Sequence, residues 1–231
     1  MQQKSQIEKV QRDVKIPIAE HVAIGADLAI PTGARAIVLF AHGSGSSRFS
    51  PRNRRVAETL QERHLATILI DLLTPDEEAT DMITHNLRFD IKMLAKRVVI
   101  ATHWLRQMDE TKDMTIGYFG ASTGAAAALV AAAELGDMVS AVVSRGGRPD
   151  LAQNAIDRVQ TPTLLVVGGN DSAVIDLNRQ ALERLKGPKR MVLVSGAGHL
   201  FEMPGMLERV AELAGCWFEK YLPVPQAAGR A

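Results

Sequence analysis

The chain has 231 residues, of which 46% are hydrophobic and 23% charged, a balance typical of a globular protein large enough to fold without disulfides or a structural metal. Its 27 basic and 26 acidic side chains leave a net charge of +1, and only 4% of its residues are aromatic, which argues against a nucleic-acid-binding protein. The lone cysteine, Cys216, excludes an intramolecular disulfide and a cysteine-based zinc site, and we expect it to be a packing residue.

The first residues of the chain contain no apolar segment of the kind found in a secretory signal. No apolar run approaches the roughly 18 residues that a membrane span needs. No linker rich in proline, glycine and serine divides the sequence. We therefore expect a single domain over residues 1–231, located in the cytoplasm and away from membranes, with a frayed tail over Pro223–Ala231.

Short apolar segments alternate with helical stretches along most of the chain. Residues 7–30 mix charged and apolar positions, which predicts one or two edge strands joined by a turn near Glu20–Gly25. Six apolar runs typical of buried parallel strands follow, at Ala36–Ala41, Ala66–Ile70, Thr115–Phe119, Ala141–Ser144, Thr163–Val167 and Met191–Val194. Helices are predicted over Pro51–His64, Phe89–Met108, Ser122–Leu135, Asp150–Val159, Ser172–Leu185 and Gly205–Tyr221.

This alternation predicts an α/β protein with a mostly parallel sheet and helices on both faces. In such sheets the ligand binds beyond the carboxyl ends of the strands, so the residues that follow each apolar run are the candidates for chemistry. The segment Thr74–Arg88 and the connection Arg145–Val159 are the only stretches left to cover a site at that edge. We therefore expect no large cap domain.

The first candidate follows the run that ends at Phe119. There the sequence G-A-S-T-G occupies Gly120–Gly124 and leads into an alanine-rich helix. A G-x-S-x-G motif between a buried strand and a helix is typical of a nucleophile elbow, in which small neighbours let a sharp turn lift the serine above the sheet. Ser122 is then the candidate nucleophile. The alternative is a tight turn in which Ser122 caps the helix.

A glycine-rich loop, H-G-S-G-S-S-R over His42–Arg48, follows another of the apolar runs. A serine hydrolase needs two backbone N–H groups that bind the oxyanion, and we expect them from Thr123, directly after the nucleophile, and from Ser44 in this loop. The rival interpretation is a phosphate cradle, although neither common glycine-rich phosphate motif is present. His42 is expected to brace the loop and is also a candidate for substrate contact.

Two further candidates follow the last two apolar runs. Asp171 ends the sequence G-G-N-D and could orient an imidazole, or it could be a turn residue or a helix cap. His199 lies in the loop S-G-A-G-H-L-F-E, from which a general base could reach a serine on another strand. The chain order Ser122, Asp171, His199 is that of the α/β-hydrolase arrangement. We therefore predict that these three residues form a catalytic triad.

Arginines crowd the expected rim of the site, at Arg48, Arg52, Arg54, Arg55, Arg145 and Arg148. Guanidinium groups suit the recognition of carboxylates and phosphates, so we expect Arg48 or Arg145 to bind an acidic group of the substrate. The alternative for Arg52–Arg55 is a solvated helix face. The chain has neither a zinc motif of the H-E-x-x-H type nor a dinucleotide fingerprint, and we expect no metal and no cofactor.

Five of these segments together resemble the small, dienelactone-hydrolase-like branch of the α/β-hydrolase superfamily. They are His42–Arg48, Ser50–Asn53, Gly120–Gly124, Gly168–Asp171 and Gly196–Glu202, and the likeness runs from about residue 20 to residue 221. The resemblance implies a central sheet of about eight strands, Ser122 as nucleophile, His199 as base and Asp171 as acid. It also implies one departure, because dienelactone hydrolases use a cysteine where this chain has Ser122.

The expected function is hydrolysis of small carboxylic esters or lactones through an acyl-enzyme, with a small-molecule ester as the partner. Two alternatives stay open on the same residues. One is an acyltransferase, in which a nucleophile other than water takes the acyl group. The other is a non-catalytic ligand-binding protein on a hydrolase scaffold, since fold alone cannot decide function.

Overall fold

A computed structural model describes residues 8–222 of the chain. The predicted frayed tail, Pro223–Ala231, lies outside the described residues, as does residue 7 of the predicted edge-strand segment. The strands are β1 Lys9–Ala19, β2 Val22–Pro31, β3 Ala36–Ala41, β4 Ala66–Ile70, β5 Thr115–Ala121, β6 Ala141–Arg145, β7 Thr163–Gly168 and β8 Lys189–Val194. The α-helices are α1 Pro51–Glu62, α2 Pro75–Thr84, α3 Ile91–Gln107, α4 Thr123–Leu135, α5 Ser172–Arg184 and α6 Met206–Tyr221.

The eight strands form one sheet in the order β1-β2-β4-β3-β5-β6-β7-β8. β2 pairs antiparallel with both of its neighbours, and the pairs from β4 across to β8 are all parallel. Each parallel connection needs a crossover, which the intervening helices supply. The expectation of an α/β-hydrolase fold with a mostly parallel sheet of about eight strands is confirmed.

Helices cover both faces of the sheet. α3 and α4 pack on one face against the inward side chains of the central strands, such as Ile37, Leu39 and Tyr118. α1 and α6 pack on the other face, where Phe40 and Phe119 contribute to a second buried cluster. Both faces are therefore apolar, which explains why the central strands are continuous apolar runs rather than alternating ones.

The segment before α3 differs most from the expected elements. Thr74–Arg88 contains α2, which begins with Pro75 after a capping box: Thr74 Oγ1 accepts the N–H of Glu77, and the Glu77 carboxylate accepts the N–H of Thr74. A 3₁₀ turn over Leu87–Phe89 then leads into α3, which begins at Ile91 rather than at Phe89. The predicted helix Asp150–Val159 is 3₁₀ over Pro149–Arg158. None of the described helices is both long and apolar enough to cross a membrane.

Candidate active site

Ser122 lies at a sharp turn between β5 and α4. Its backbone has φ 50° and ψ −120°, a conformation that costs a residue with a side chain roughly 1–3 kcal/mol. Neighbouring segments hold the turn in place: the Ser122 N–H donates to the carbonyl of Arg145 at 3.2 Å, and its carbonyl accepts the N–H of Arg148 at 3.0 Å. Its side chain makes no helix-capping hydrogen bond, so the helix-cap interpretation does not account for this serine.

The two glycines of the motif allow this turn to pack against the sheet. A Cβ at Gly120 would lie 2.4 Å from the Cα of Ala125, in the helix that follows the turn. A Cβ at Gly124 would lie 2.3 Å from the carbonyl oxygens of Ala41 and His42. These are backbone contacts that cannot relax easily, so any larger residue would push the helix away from the strand and the glycine-rich loop.

Asp171 and His199 form a hydrogen-bonded pair. Asp171 stands at the N-cap position of α5, yet its side chain makes no capping bond. Its carboxylate, 14% exposed, instead accepts a hydrogen bond from Nδ1 of His199 at 2.7 Å. This contact fixes the tautomer of the imidazole and leaves Nε2 free to act as a base.

The His199 loop packs closely against its neighbours. The Asn170 N–H donates to the carbonyl of Ala197 at 2.9 Å, which ties the loop after β7 to the loop after β8. Phe201, two residues beyond the imidazole, is buried and has a positive φ of 57°. A Cβ at Gly146, next to the residue that bonds Ser122, would lie 3.6 Å from Nδ1 of His199. The imidazole thus lies near the serine turn, although no hydrogen bond joins it to the Ser122 hydroxyl among the described residues.

The glycine-rich loop after β3 lies against the serine turn. A Cβ at Gly43 would lie 3.0 Å from the Cβ of Ser122, which places the loop beside the candidate nucleophile. The Ser44 N–H, expected to be open to an oxyanion, instead donates to Oγ1 of Thr123 at 2.8 Å. Both predicted oxyanion residues are therefore adjacent, but one of the two N–H groups is occupied by the side chain of the other.

His42 braces this loop. Its Nδ1 lies 2.9 Å from the carbonyl of Gly43, and its Nε2 accepts the N–H of Leu72 at 3.1 Å. Burial lowers the pKa of the imidazole more than the Gly43 carbonyl and nearby carboxylates raise it, so the ring is neutral. With both nitrogens engaged by the backbone, His42 offers a substrate only the faces and edges of its ring.

Arg48 does not fit the substrate-binding role expected of it. Its guanidinium donates to Asp71 at 2.7 Å and to Asp13 at 2.9 Å, and it also lies beside Asp27. Its backbone N–H bonds Asp71 as well, at 2.9 Å. This set of carboxylates occupies the guanidinium fork, because strands β1, β2 and β4 bring three acidic side chains to the start of α1. Arg48 therefore has a structural role.

Arg145, the other predicted substrate-binding residue, ends β6 beside the serine turn. Its side chain is buried, and its guanidinium carbon lies 5.9 Å from the centre of the Phe201 ring. Burial and the nearby charge of Arg52 lower its pKa to about 10, which leaves it charged at neutral pH.

A cavity of about 330 Å³ opens next to the oxyanion loop. Its wall combines the glycine-rich loop and Thr123 with side chains from the ends of β4 and the start of α3, and with four residues of the α2 segment: Glu78, Asp81, Met82 and Arg88. Asp81 accepts hydrogen bonds from the N–H and Nε of Arg88, which lower its carboxyl pKa although burial raises it. Sequence reasoning identified Thr74–Arg88 as a covering segment but named none of these residues.

The described part of the chain, residues 8–222, contains no group of three or more His, Cys, Asp or Glu side chains arranged to hold a metal ion. Cys216 is exposed on α6, which contradicts the expectation that it is a packing residue.

The fold, with a strained serine after β5 and an acid–histidine pair after β7 and β8, defines an α/β-hydrolase. Residues 24–214 match the dienelactone hydrolase family, and the chain belongs to that family. A crystal structure of a dienelactone hydrolase from Anabaena variabilis is 57% identical, with a TM-score of 0.91, and covers 93% of this chain and 99% of that one.

Two further proteins are less similar to this chain in sequence. The structure of Est1E from Butyrivibrio proteoclasticus, 17% identical with a TM-score of 0.75, shares the fold over 90% of this chain and 98% of its own. A Mycobacterium tuberculosis protein named "Putative phosphoribosyl transferase" is 50% identical over 219 residues, or 94% of this chain. The match covers 48% of that protein, so this chain spans about half the length of the curated relative.

Proposed function

We propose that the protein hydrolyses small carboxylic esters or lactones, with Ser122 as nucleophile, His199 as general base and Asp171 as the group that orients the base. The observation that carries this proposal is the 2.7 Å bond from His199 to Asp171, beside a serine held at φ 50°. A strained turn can present a serine hydroxyl to a substrate. An imidazole that binds a carboxylate through one nitrogen has the other nitrogen free to take the hydroxyl proton.

The reaction proceeds in two halves. Ser122 Oγ attacks the ester carbonyl carbon while His199 Nε2 takes the hydroxyl proton, and the imidazolium then gives that proton to the departing alcohol. Water next attacks the acyl carbon and passes its proton to His199, and the acid leaves as Ser122 recovers its hydrogen. Asp171 accepts the Nδ1 hydrogen throughout, which stabilises the imidazolium.

The oxyanion of each tetrahedral intermediate would accept the N–H of Thr123 and the N–H of Ser44. The second donor is bonded to Thr123 Oγ1 at 2.8 Å, so the threonine side chain must rotate, or the oxyanion must displace it, before Ser44 can donate. One such donor contributes roughly 10²–10³ in turnover, so this rearrangement is a step on which the rate can depend. The cavity beside the loop would hold the acyl or the alcohol part.

The name of the mycobacterial relative belongs to a protein about twice as long as the matched segment. Ser122, His199 and Asp171 support acyl chemistry on this chain. An acyltransferase would use the same three residues with an alcohol or thiol in place of water, and adding such acceptors while measuring product partition separates the two reactions. A non-catalytic protein would fail to react with a fluorophosphonate probe.

The test is a kinetic comparison of wild type with Ser122→Ala, Asp171→Asn and His199→Asn on a panel of esters and lactones. We expect Ser122→Ala to lose roughly 10⁴–10⁶-fold in kcat and Asp171→Asn to lose about 10⁴-fold. Matched controls are Asp176→Asn on the exposed face of α5 and His103→Asn on the exposed face of α3, which should behave as wild type. Hydrolysis by Ser122→Ala at the parent rate would overturn the assignment.

A further inference from the structure

Of the six arginines near the rim of the site, four pair with carboxylates. Arg48 bonds Asp71 and Asp13, Arg148 bonds Asp150, and the remaining two pairs are Arg54 with Asp27 and Arg55 with Glu58 and Glu208. Arg52 and Arg145 have no carboxylate partner among the described residues. These two guanidinium groups are the uncompensated cations of the cluster.

Arg145 is the more deeply buried of the two. Only 5% of its surface is exposed, and its Nε has no hydrogen-bond partner. The other well-buried guanidinium groups of this fold, on Arg48 and Arg97, also have an unpartnered Nε, yet each bonds a carboxylate at 2.6–2.7 Å through another of its nitrogens. A buried charge normally has a partner of opposite charge, because removing it from water is costly. Arg145 has no such partner among the described residues.

The start of α1 supplies a further unsatisfied donor. Arg52, in its first turn, has a buried Nε without a partner, and its positive charge contributes to the lowered pKa of Arg145. The first turn of α1 contains no acidic residue. Two cations thus lie without a carboxylate partner, Arg52 at the start of α1 and Arg145 at the end of β6.

This cluster borders the candidate active site. The Arg145 carbonyl accepts the N–H of Ser122, and the Arg145 side chain contacts Phe201, two residues beyond His199. An anionic group bound by Arg145 would therefore lie beside the serine turn. The cluster lies on the α1 and α6 side of the sheet, whereas the 330 Å³ cavity opens toward α2 and α3.

We propose that Arg145 and Arg52 bind a phosphate monoester on the substrate, so that the enzyme acts on phosphorylated esters or lactones. This inference rests on the proposed function, because it names the substrate class of that site. A dianion matches the two uncompensated cations, whereas a carboxylate would neutralise only one of them. Guanidinium forks are also donors that suit the terminal oxygens of a phosphate.

The competing explanation is that Arg145 only supports the His199 loop through the ring of Phe201. In that case the residue is a positioning residue, and its loss would slow all substrates alike. The two explanations therefore differ in whether the phosphate group of the substrate matters.

The first experiment measures binding of inorganic phosphate by thermal unfolding of the full chain, with sodium chloride at equal ionic strength as the reference. We expect saturating phosphate to raise the melting temperature of wild type by about 3 °C or more, and to have no such effect on Arg145→Met or Arg52→Met. The matched control is Arg54→Met, an exposed arginine of the same helix whose partner is Asp27. Arg145→Lys serves as the variant that keeps the buried charge if Arg145→Met does not fold.

The second experiment compares kcat/KM for an acetate ester that carries a phosphate monoester with that for the same ester carrying a hydroxyl instead. We expect Arg145→Met to lose roughly 10–100-fold on the phosphorylated ester and little on the neutral one. Equal losses on both esters, or no phosphate effect on wild-type unfolding beyond that of chloride, would overturn the proposal.

The two proposals fail separately. If no ester is hydrolysed but phosphate still stabilises wild type and not Arg145→Met, the esterase proposal fails and the anion site stands. If Ser122-dependent hydrolysis is found without any phosphate preference or binding, only the anion site fails.

Discussion

Single side chains near the site divide into those whose hydrogen bonds are complete and those left open. His42 belongs to the first group, since backbone groups engage both of its ring nitrogens. Arg145 and the Ser122 hydroxyl belong to the second. In an interior where polar groups are nearly always paired, the open groups are the ones available to a ligand.

The neutral state of His42 has a consequence for stability. Burial lowers the pKa of the His42 imidazole in the folded protein below its ordinary value of 6.5, although the Gly43 carbonyl and nearby carboxylates raise it. Protonation would also place an N–H of the ring against the N–H of Leu72. The unfolded chain takes up this proton as the pH falls below about 6.5 while the folded chain does not. Because of His42, the free energy of unfolding is therefore higher above that pH than below it. It falls on acidification by at most about 1.4 kcal/mol per pH unit.

Urea unfolding at pH 7.5 and pH 5.5 tests this prediction. The loss of stability between the two values should be smaller in His42→Gln than in wild type, whereas His103→Gln, at an exposed position of α3, should keep the wild-type loss. An unchanged pH dependence in His42→Gln would show that the ring does not resist protonation in the folded state.

At the scale of elements, the serine turn depends on the close approach of β5, α4 and the loop after β3. Gly124→Ala should cost at least about 2 kcal/mol in the free energy of unfolding, because the new Cβ would meet two carbonyl oxygens at 2.3 Å. Gly198→Ala is the matched control, since nothing lies within 4 Å of its Cβ position, and it should stay within about 0.5 kcal/mol of wild type. Chemical denaturation measures both, and equal stability of the two variants would contradict this packing.

Elements with continuous apolar sequences could be predicted closely. The run Ala36–Ala41 coincides with β3 and Ala66–Ile70 with β4, because every position of these two strands is buried and neither contains a charged residue. α2 could not be recognised from an apolar stripe, since its Met82 and Ile83 are exposed. The capping residues Thr74 and Glu77 were the available signal for it.

The features of the candidate site likewise differ in how far the sequence predicts them. Ser122, Asp171 and His199 could be predicted because each follows a strand whose end is defined by the sheet. The partners of the rim arginines could not, because they depend on which distant strands meet. Arg48 is bonded by Asp13 and Asp71, which the hairpin and β4 bring together.

At the scale of the whole molecule, that ion-pair cluster links the β1–β2 hairpin to the parallel part of the sheet. Arg48→Met would leave three carboxylates close together with only Arg54 beside one of them, and we expect a loss of about 3–5 kcal/mol in the free energy of unfolding. Arg54→Met removes a half-exposed partner of Asp27 and should cost less than about 1 kcal/mol. Equal effects of the two substitutions would mean that the buried cluster contributes no more than a surface pair.

The topology also explains why residues 122, 171 and 199 lie at one edge of the sheet. β5, β6, β7 and β8 are parallel neighbours, so their carboxyl ends form one edge, and the loops after β5, β7 and β8 carry the three side chains. If the proposed function is correct, this arrangement produces an acyl-enzyme at Ser122.

The most direct measurement is rapid acid quenching of the protein with p-nitrophenyl acetate, followed by mass spectrometry of its peptides. In wild type we predict one acetyl group on Ser122. In His199→Asn this acetyl group should accumulate further if deacylation slows more than acylation, and in Ser122→Ala it should be absent. Acetylation at another residue in place of Ser122, or turnover by Ser122→Ala at the wild-type rate, would contradict the account.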